Sequence, residues 1–352
     1  MIIEKYKKGG KTSYRFLIRV GDVVTRRSGF RTITEATRAY EELYKNLSDK
    51  RDNKTYEEVF NEWLIIYKTK VKESTYHRNL ATFNNHILKH FGNKYLKDIT
   101  VSDCQKFAME YIDYVKGKEM FNQAKRVMDY AIKMEYADDN PFNRVILPNY
   151  KNPKKEVNFL SIDEVNILLD YVKDDLYWYT LFRLMIYTGL RRGEILALTW
   201  NDIDFKNKTL NIDKSLSIGL NYKVILSTTK TEKSKRKIII DDKTLTTLKK
   251  LKLQNGSYII FPNSKGQYKR LADISDKLKL IIKDTGIKNI RVHDLRHTHA
   301  SLLFASGANA KEVQERLGHT DIKTTLNIYT HVTKDNSEKT LNRFVDYLEN
   351  TN

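Results

Sequence analysis

The chain has 352 residues, of which 40% are hydrophobic and 30% are charged, and its 63 Lys and Arg against 44 Asp and Glu give a formal net charge of +19. This length predicts two or three domains, and counts of only 14 Gly and 4 Pro exclude collagen-like and low-complexity chains and favour packed, largely helical domains. Cys104 is the single cysteine, which excludes a disulfide scaffold, and no apolar run reaches the roughly 18 residues of a membrane span, so we expect a cytoplasmic protein. The positive charge favours a polyanionic partner, with nucleic acid ahead of an anionic membrane surface, although solubility alone is an alternative explanation.

Residues 1–53 are predicted to form a small basic domain. The first 31 residues carry nine basic and two acidic side chains. Apolar residues alternate from Tyr14 to Val20, as in a half-buried strand, and turn signals on both sides indicate a three-stranded meander. Thr32 and Glu35 form a capping box for a helix that can cover one face of this sheet.

Residues 54–147 are predicted to form an all-α domain, because Thr55 and Glu58 form a second capping box and the following apolar residues recur at helical spacing. Three of the four prolines, Pro141, Pro148 and Pro153, then fall within thirteen residues, and we expect a linker at 148–160.

Residues 161–352 are predicted to form a mixed domain that opens with helices around 162–172, 177–187 and 192–198. Short strands are expected at 209–212, 224–226 and 238–240, followed by helices to the end of the chain. The predicted fold is therefore a multidomain chain that is mainly α with small antiparallel sheets.

The basic and His-rich clusters of this last domain favour metal-free chemistry, because no distinctive Asp/Glu motif for metal-dependent phosphoryl transfer is present. Breaking a phosphodiester without a metal requires cations on the non-bridging oxygens, a proton donor for the leaving oxygen, and a nucleophile. We therefore expect no cofactor.

The first cluster surrounds Arg191. Gly189 is predicted to end one helix and Arg191 to begin the next, where free backbone N–H groups favour an anion. Glu194 follows three residues later and can brace the guanidinium of Arg191. A helix cap followed by a solvated Arg-Arg pair is the alternative interpretation.

The second cluster, residues 229–237, has five basic side chains among nine residues and lies between two predicted strands. Lys230 on such a hairpin could donate a proton to a leaving alkoxide. A charged, solvated loop is the alternative.

The third cluster contains His293 and Arg296, which on a helix are i, i+3 neighbours and can face one phosphate. His293 and His297, at i, i+4, could instead face a zinc ion. Asp294 is one carbon shorter than the glutamate of the usual zinc motif, and Arg296 would repel a divalent cation, so the phosphate interpretation is favoured.

The fourth cluster extends from Leu317 to Tyr329. Gly318 is predicted to stop a helix, His319 to lie in a loop, and Asp321 to cap a new helix that carries Tyr329. A single tyrosine among 22 is most often a packing residue, so its assignment depends on the whole set.

In order and spacing, the set resembles the six active-site positions of the tyrosine recombinase (phage integrase) family, over about residues 155–335. These positions are Arg191, Lys230, His293, Arg296, His319 and Tyr329. The resemblance implies that Tyr329 attacks the scissile phosphate to give a 3′-phosphotyrosine and a free 5′-hydroxyl. It implies that the two arginines hold the non-bridging oxygens, that Lys230 protonates the 5′-oxygen, that His293 assists proton transfer and that His319 hydrogen-bonds the phosphate. Because Thr229 replaces a frequent proline, Lys233 and Lys235 remain alternatives to Lys230.

The resemblance extends to the rest of the chain. Residues 54–147 are similar to the family's core-site-binding domain, and residues 1–53 resemble the arm-site-binding domain of the longer mobile-element integrases. We therefore expect the basic side chains of the first domain to contact DNA, namely Lys7, Lys8, Lys11, Arg15, Arg19, Arg26 and Arg27.

The family resemblance implies a site-specific recombinase that integrates and excises a mobile element through a Holliday junction, independently of metal and ATP. Its expected partners are double-stranded DNA with core-type and arm-type attachment sites and three further copies in a homotetramer. A DNA-bending protein and a directionality factor are candidate partners, and we expect association with the nucleoid when DNA is bound. A chromosome-dimer or plasmid resolvase and a non-catalytic DNA-binding regulator are the alternative functions.

The C-terminal tail, residues 337–348, has an amphipathic stripe formed by Leu341, Phe344, Val345 and Leu348. Packing on its own domain and docking on a neighbouring protomer are the two interpretations of this stripe.

Overall fold

The computed structural model of the chain describes residues 1–20, 23–48, 54–150, 157–228 and 235–332, together with six residues of the tail. The chain divides into two compact units, Met1–Lys154 and Lys155–Asn352. Within the described residues, no helix combines the length and the apolar character that crossing a bilayer requires.

The first unit begins with the predicted three-stranded meander. Its strands are β1 (Ile3–Lys8), β2 (Lys11–Val20) and β3 (Val23–Phe30), which pair antiparallel in the order β1-β2-β3. Helix α1 (Ile33–Ser48) covers one face, and the buried side chains of Phe16, Ile18 and Ala36 form the small core between helix and sheet. The period-2 pattern of β2 thus places every second residue against α1.

The remainder of the first unit is helical. Its helices are α2 (Tyr56–Lys70), α3 (Glu73–Thr82), α4 (Leu88–Phe91), α5 (Val101–Glu110) and α6 (Gly117–Lys133), with a π-helical turn at Phe83–Ile87. The predicted capping box of Thr55 and Glu58 begins α2. Buried aromatic side chains, including Phe60, Phe83 and Phe107, dominate the core of this bundle.

The second unit begins with three helices, α7 (Ile162–Tyr171), α8 (Leu176–Thr188) and α9 (Arg192–Ala197). Five short strands follow: β4 (Ile203–Asp204), β5 (Thr209–Ile212), β6 (Lys214–Ile218), β7 (Val224–Thr228) and β8 (Arg236–Ile239). The remaining helices are α10 (Asp242–Gln254), α11 (Leu271–Thr285), α12 (Asp294–Ala305), α13 (Ala310–Leu317) and α14 (Ile322–Val332).

The strands of the second unit form two antiparallel sheets, one in the order β4-β5-β8 and one made by the hairpin β6-β7. The sequence analysis predicted β5, β7 and β8 but not β4 or β6. Strand β6 has the sequence Lys-Ser-Leu-Ser-Ile, whose two serines make the apolar alternation weak. Pairing with β7 stabilises this segment as a strand, although its own composition does not predict one.

The prediction of helices from Ile240 to the end of the chain is wrong for the stretch between α10 and α11. Residues 255–270 form turns and isolated β-bridges, including Thr199 with Ile259 and Pro262 with Tyr268. Asn255 and Gly256 end the helical pattern, and the proline at 262 removes a backbone donor, so these residues favour turns.

Helix α9 packs unusually close to β6. A Cβ atom at Gly193 would lie 2.3 Å from the carbonyl oxygen of Leu216 and 2.5 Å from Oγ of Ser215. Only glycine therefore allows this approach, which fixes Arg191 and Arg192 beside the β6-β7 hairpin.

Candidate active site

Among the described residues of the second unit, Arg296 is the most deeply buried cation, with 1% of its surface exposed. Its Nη1 donates to the carbonyl oxygen of Gly189 at 2.8 Å, and its Nη2 donates to that of Leu317 at 2.5 Å. Gly189 and Gly318 adopt left-handed backbone conformations that end α8 and α13. Because the last carbonyls of a helix have no intrahelical partner, two helix ends supply the acceptors that Arg296 needs.

The environment of Arg296 keeps its positive charge unneutralised. Burial, followed by the nearby guanidinium groups of Arg191 and Arg236, lowers the pKa of Arg296 well below its ordinary value. Arginine nevertheless stays protonated in proteins. The fold thus holds the Arg296 cation at a position where a bound anion would stabilise it.

His319 lies directly beside Arg296. The Nε of Arg296 donates to Nε2 of His319 at 3.3 Å, and Nδ1 of His319 lies 2.8 Å from Oγ1 of the buried Thr325. Since Nε2 accepts a hydrogen bond from Arg296, the proton of the neutral ring is assigned to Nδ1, and this N–H donates a hydrogen bond to Oγ1 of Thr325. Burial, with the charges of Arg296 and Arg191, lowers the pKa of His319 to about 3, so the ring is neutral at pH 7.

Arg191 is braced by Glu194, as predicted. Its Nη1 donates to Oε1 of Glu194 at 2.7 Å and its backbone N–H donates to Oε2 at 2.9 Å, while its Nη2 lies 3.5 Å from the carbonyl oxygen of Gly318. Glu194 also accepts hydrogen bonds from both terminal nitrogens of Arg236, at 3.2 and 2.9 Å. Burial acts to raise the pKa of Glu194, but Arg236 and Arg191 outweigh it and hold that pKa at about 2.

His293 directly precedes α12 and has an exposed side chain. Its ring contacts that of His297 edge to face, with the centroids 5.0 Å apart, and it lines a cavity that Arg191 also lines. Several causes lower the pKa of His293 to about 4. The largest is burial of the ring by the surrounding protein, and the next are the positive charges of a protonated His297 and of Arg296. The ring is therefore largely neutral at pH 7 and can accept a proton.

His297, the second histidine of the zinc interpretation, points toward Asp294, with 3.9 Å between Nε2 and Oδ1. Asp294 is itself held by Arg291 at 2.8 Å. In the described part of the chain, no group of three or more His, Cys, Asp and Glu side chains is placed to hold a metal ion.

Tyr329 lies on α14, and 42% of its surface is exposed. Its ring packs edge to face against Phe304 of α12, with the centroids 5.1 Å apart. Tyr329 follows Thr325 by four residues, so it lies on the same face of α14 about 6 Å further along the helix axis. The helix that carries Tyr329 is thereby attached to His319 through Thr325.

Lys230 and its alternative Lys233 lie outside the described residues, whereas Lys235 is described and exposed. The strands on both sides of this segment are fixed, β7 by pairing with β6 and β8 by pairing with β5. The structure thus brings together Arg191, His293, Arg296 and His319, and it connects Tyr329 to this group through α14.

Two residues of the site, Arg236 and Thr325, were not predicted from the sequence. The alternation of buried Ile238 with exposed Lys237 and Ile239 in β8 places Arg236 on the inner side, where a charged residue needs a partner. Thr325 precedes the buried Ile328 by three residues, which puts both on the inner face of α14. The sequence patterns could place Arg236 and Thr325 on inner faces. They could not predict that Arg236 pairs with Glu194 or that Thr325 pairs with His319.

The arrangement can bind a tetrahedral anion. Three guanidinium groups, those of Arg191, Arg236 and Arg296, surround a single buried carboxylate, that of Glu194, so the group retains an excess of positive charge. Such preorganised cations stabilise the charge that develops on the oxygens of a reacting phosphate.

Comparison with known proteins gives the family. Residues 158–336 match the phage integrase family, and residues 55–112 match the phage integrase N-terminal SAM-like domain. The integrase of Staphylococcus phage L54a is 31% identical to this chain over 84% of this chain and 93% of its own length.

Two solved structures share the fold. One is the Tn1549 transposon integrase in complex with transposon right end DNA, with a TM-score of 0.69 and 20% identity over 83% of this chain and 100% of that chain. The other is a lambda integrase tetramer bound to a Holliday junction, with a TM-score of 0.60 and 19% identity over 90% of this chain and 95% of that chain.

The chain therefore belongs to the phage integrase family of tyrosine recombinases. It is a site-specific DNA recombinase of the kind that mobile elements encode. The predicted family, fold class and function are confirmed.

A second buried histidine, His299, stabilises the elements that carry the site. His299 on α12 has Nδ1 at 2.8 Å from the carbonyl oxygen of Ile186, and its Nε2 accepts a hydrogen bond from Nε of Arg316 at 3.1 Å. Arg316 also donates to the carbonyl oxygens of Tyr187 and Ile239. These contacts join α8, β8, α12 and α13. Burial, followed by the charge of Arg316, lowers the pKa of His299 to about 3.

Substituting His299 should therefore change the pH dependence of stability. An unfolded histidine binds its proton near pH 6.5, whereas folded His299 stays neutral until about pH 3. Between these values the unfolded chain binds more protons, so stability falls as the pH decreases. From pH 7 to pH 5, we expect the free energy of unfolding to fall by about 2 kcal/mol less in His299→Gln than in the wild type.

Denaturant unfolding of the full chain at several pH values measures this difference. Ser306→Ala, which changes no titratable group and lies at an exposed residue of the same unit, serves as the control and should follow the wild-type pH dependence. Parallel curves for His299→Gln and the wild type would contradict a neutral, buried His299.

Proposed function

We propose that Tyr329 is the nucleophile that cleaves DNA and that Arg191, Arg296 and His319 bind the scissile phosphate. The observation that carries this proposal is the convergence of the two arginines and the neutral His319 at the ends of α8 and α13. Attack by the Tyr329 hydroxyl forms a bond to phosphorus, and the bond from phosphorus to the 5′-oxygen breaks. The product is a 3′-phosphotyrosine that keeps the energy of the phosphodiester, so a 5′-hydroxyl can reseal it without ATP.

Arg296 has donors left for a phosphate. A guanidinium has five N–H groups, and Arg296 uses three of them on Gly189, Leu317 and His319. One N–H on each terminal nitrogen remains, which is enough for two hydrogen bonds to phosphate oxygens. Because the bonds to Gly189 and Leu317 fix the plane of the group, it is oriented before DNA binds.

His319 can change its role when the phosphate arrives. To donate a hydrogen bond to a phosphate oxygen, Nε2 must carry the proton of the neutral ring. Nδ1 is then unprotonated and must accept a hydrogen bond. The hydroxyl of Thr325 can donate as well as accept, so it supports both tautomers of His319. Neutral His293 beside Arg191 is proposed to take part in proton transfer.

Substituting Tyr329 by Phe removes the proposed nucleophile while keeping the ring that packs on Phe304. We expect Tyr329→Phe to bind its recombination site normally but to lower cleavage by at least about 10³-fold. A suicide substrate that traps covalent DNA–protein adducts measures the change, and Tyr258→Phe, at an exposed tyrosine elsewhere in the same unit, is the matched control. Adducts that persist in Tyr329→Phe would assign the nucleophile to another residue.

Lys230 is proposed to protonate the leaving 5′-oxygen. Its segment connects β7 to β8, and β8 carries Arg236, which is bound to Glu194 at the phosphate site. Both ends of the segment are therefore anchored beside the proposed chemistry.

Lys230→Ala should slow cleavage of an ordinary substrate, and a 5′-bridging phosphorothiolate should restore the rate because its sulfur leaves without needing a proton. Single-turnover cleavage compares the two substrates, with Lys233→Ala and Lys235→Ala as controls. A phosphorothiolate that rescues one of these controls instead would move the role to that lysine.

Residues 1–53 are proposed to bind arm-type DNA through the sheet face that α1 leaves open. Phe16 and Ile18 face α1, so Arg15 and Arg19 face away from it. Arg26 pairs with Leu17 and joins them on the open face, whereas Arg27 pairs with Phe16 on the α1 side. By the same alternation, Lys11 is on the open face and Lys7 is on the α1 side. Of the seven basic residues expected to contact DNA, four thus lie on the open face and two on the α1 side, and the side chain of Lys8 is outside the described ones.

This division predicts unequal effects of two neighbouring arginines. Arg26→Gln should weaken binding to arm-type DNA and reduce the slope of log affinity against log salt by about 1, because one phosphate contact is lost. Arg27→Gln removes the same charge from the other face and should have the smaller effect. Equilibrium binding at several salt concentrations measures both, and equal effects would contradict the assignment of the open face. Footprints at arm sites distant from the core would separate this function from that of a resolvase.

A homotetramer on DNA is proposed as the active assembly. The lambda integrase with the same fold was solved as a tetramer on a Holliday junction. In the tail of this chain, Leu341, Phe344 and Leu348 are 60%, 59% and 54% exposed, so their apolar side chains are open to solvent in the single chain. A groove of about 470 Å³, lined by residues of α7 and α12, is also largely apolar, so the apolar side chains of a tail can pack in it. We propose that the tail docks on a neighbouring copy.

A further inference from the structure

The basic cavity that Arg191 and His293 line extends beyond the proposed phosphate site. It has a volume of about 680 Å³ and lies between α9, the β6-β7 hairpin, α11 and the residues that precede α12. Arg191 and His293 belong to its lining, so it is continuous with the proposed active site. Its other charged lining residues are Arg192, Lys279 and Arg291, and no acidic side chain is among the described residues that line it.

Arg192 is bonded differently from most arginines of this unit. Its Nη1 donates to Oγ of Ser275 at 3.0 Å, and this is its one hydrogen bond to the described residues. Four of its five N–H groups are left for a ligand. Burial of the half-buried guanidinium lowers its pKa, and no carboxylate in the described part of the chain lies at ion-pair distance from it. A desolvated cation without a counter-charge is costly unless an anion binds beside it.

Arg191 and Arg192 contact different walls of the site. Arg191 contacts Glu194 and the carbonyl of Gly318, whereas Arg192 extends toward α11 and Ser275. Lys279 follows Ser275 by one helical turn, so both lie on the same face of α11. Arg192, Ser275 and Lys279 can therefore surround an anion other than the one that Arg191 and Arg296 hold.

The chain of phosphates along DNA supplies such an anion. Successive phosphates of one strand are separated by about 3.4 Å along the helix axis, so a strand with one phosphate at Arg191 has further phosphates close by. The planar fork of arginine matches the oxygens of a phosphodiester.

We propose that Arg192, with Ser275 and Lys279, binds a phosphodiester next to the scissile phosphate and thereby fixes the register of the cleaved strand. This proposal rests on the proposed position of the scissile phosphate at Arg191 and Arg296. Arg192 acts here as a positioning residue, because it holds the strand and not the reacting atoms.

The test combines protein variants with DNA in which one phosphate at a time is replaced by a neutral methylphosphonate. The probe is a short duplex with the core site, mapped by sequencing recombined junctions, and equilibrium binding of the full chain is the readout. At one position near the scissile phosphate, the methylphosphonate should weaken wild-type binding about tenfold. Arg192→Met should weaken binding to unmodified DNA by a similar factor and show no further loss at that position.

Two further variants make the result specific. Arg192→Lys keeps the charge, so the response to the methylphosphonate should return in part. Lys249→Met removes one charge from α10, which does not line the cavity, and it should respond to every methylphosphonate as the wild type does.

Three results would overturn the proposal. One is wild-type affinity of Arg192→Met for unmodified DNA, and another is an equal response of wild type and Arg192→Met at every phosphate. A third is a loss in Arg192→Met that disappears when one base pair is changed, which would assign Arg192 to a base edge. Because equilibrium binding is read separately from covalent adducts, a failed assignment of Tyr329 would appear in the adduct assay and leave this comparison intact.

Discussion

The contact of the buried Arg296 guanidinium with two helix ends is the interaction on which the catalytic unit depends. Removing such a charge from water costs several kcal/mol unless polar groups replace the water. The carbonyls at the ends of α8 and α13 provide that replacement, and they lie at the negative poles of their helices. They are partial charges, however, so Arg296 is stabilised without being neutralised. The same contacts that hold the fold together leave the cation available to a phosphate.

Glu194 limits the repulsion between the cations around it. Its one buried carboxylate accepts hydrogen bonds from Arg191 and Arg236, which lie on different elements. A second carboxylate would cancel the positive charge of the site, whereas removal of this one would leave three guanidinium groups crowded together. One carboxylate among three arginines therefore gives a site that is stable without DNA and still attracts an anion.

The parts of the site that depend on local spacing could be predicted from the sequence, whereas the long-range pairs could not. Gly318 ends a helix and Glu194 reaches Arg191 because these relationships involve residues three or four positions apart. Arg236 meets Glu194 across 42 positions, and this side-chain pair joins β8 to α9 through a tertiary contact that no local pattern encodes. Thr325 could be placed on an inner helix face, but the orientation of His319 toward it depends on the loop after α13. Residues 255–270, where the sequence predicts helix, form turns, because Asn255, Gly256 and Pro262 favour them.

The arginines of the second unit fall into two groups that show how the +19 charge is used. Five of the eight described arginines pair with carboxylates, and these are Arg183, Arg191, Arg236, Arg270 and Arg291. Of the other three, Arg296 and Arg316 are bound by backbone carbonyls and by a neutral histidine each, so their charges are held but not cancelled. Within the described residues, Arg192 has the hydroxyl of Ser275 alone. Two of the three arginines without a carboxylate, Arg192 and Arg296, are those that the proposals assign to phosphates, so a DNA strand would supply the counter-charge that the fold does not.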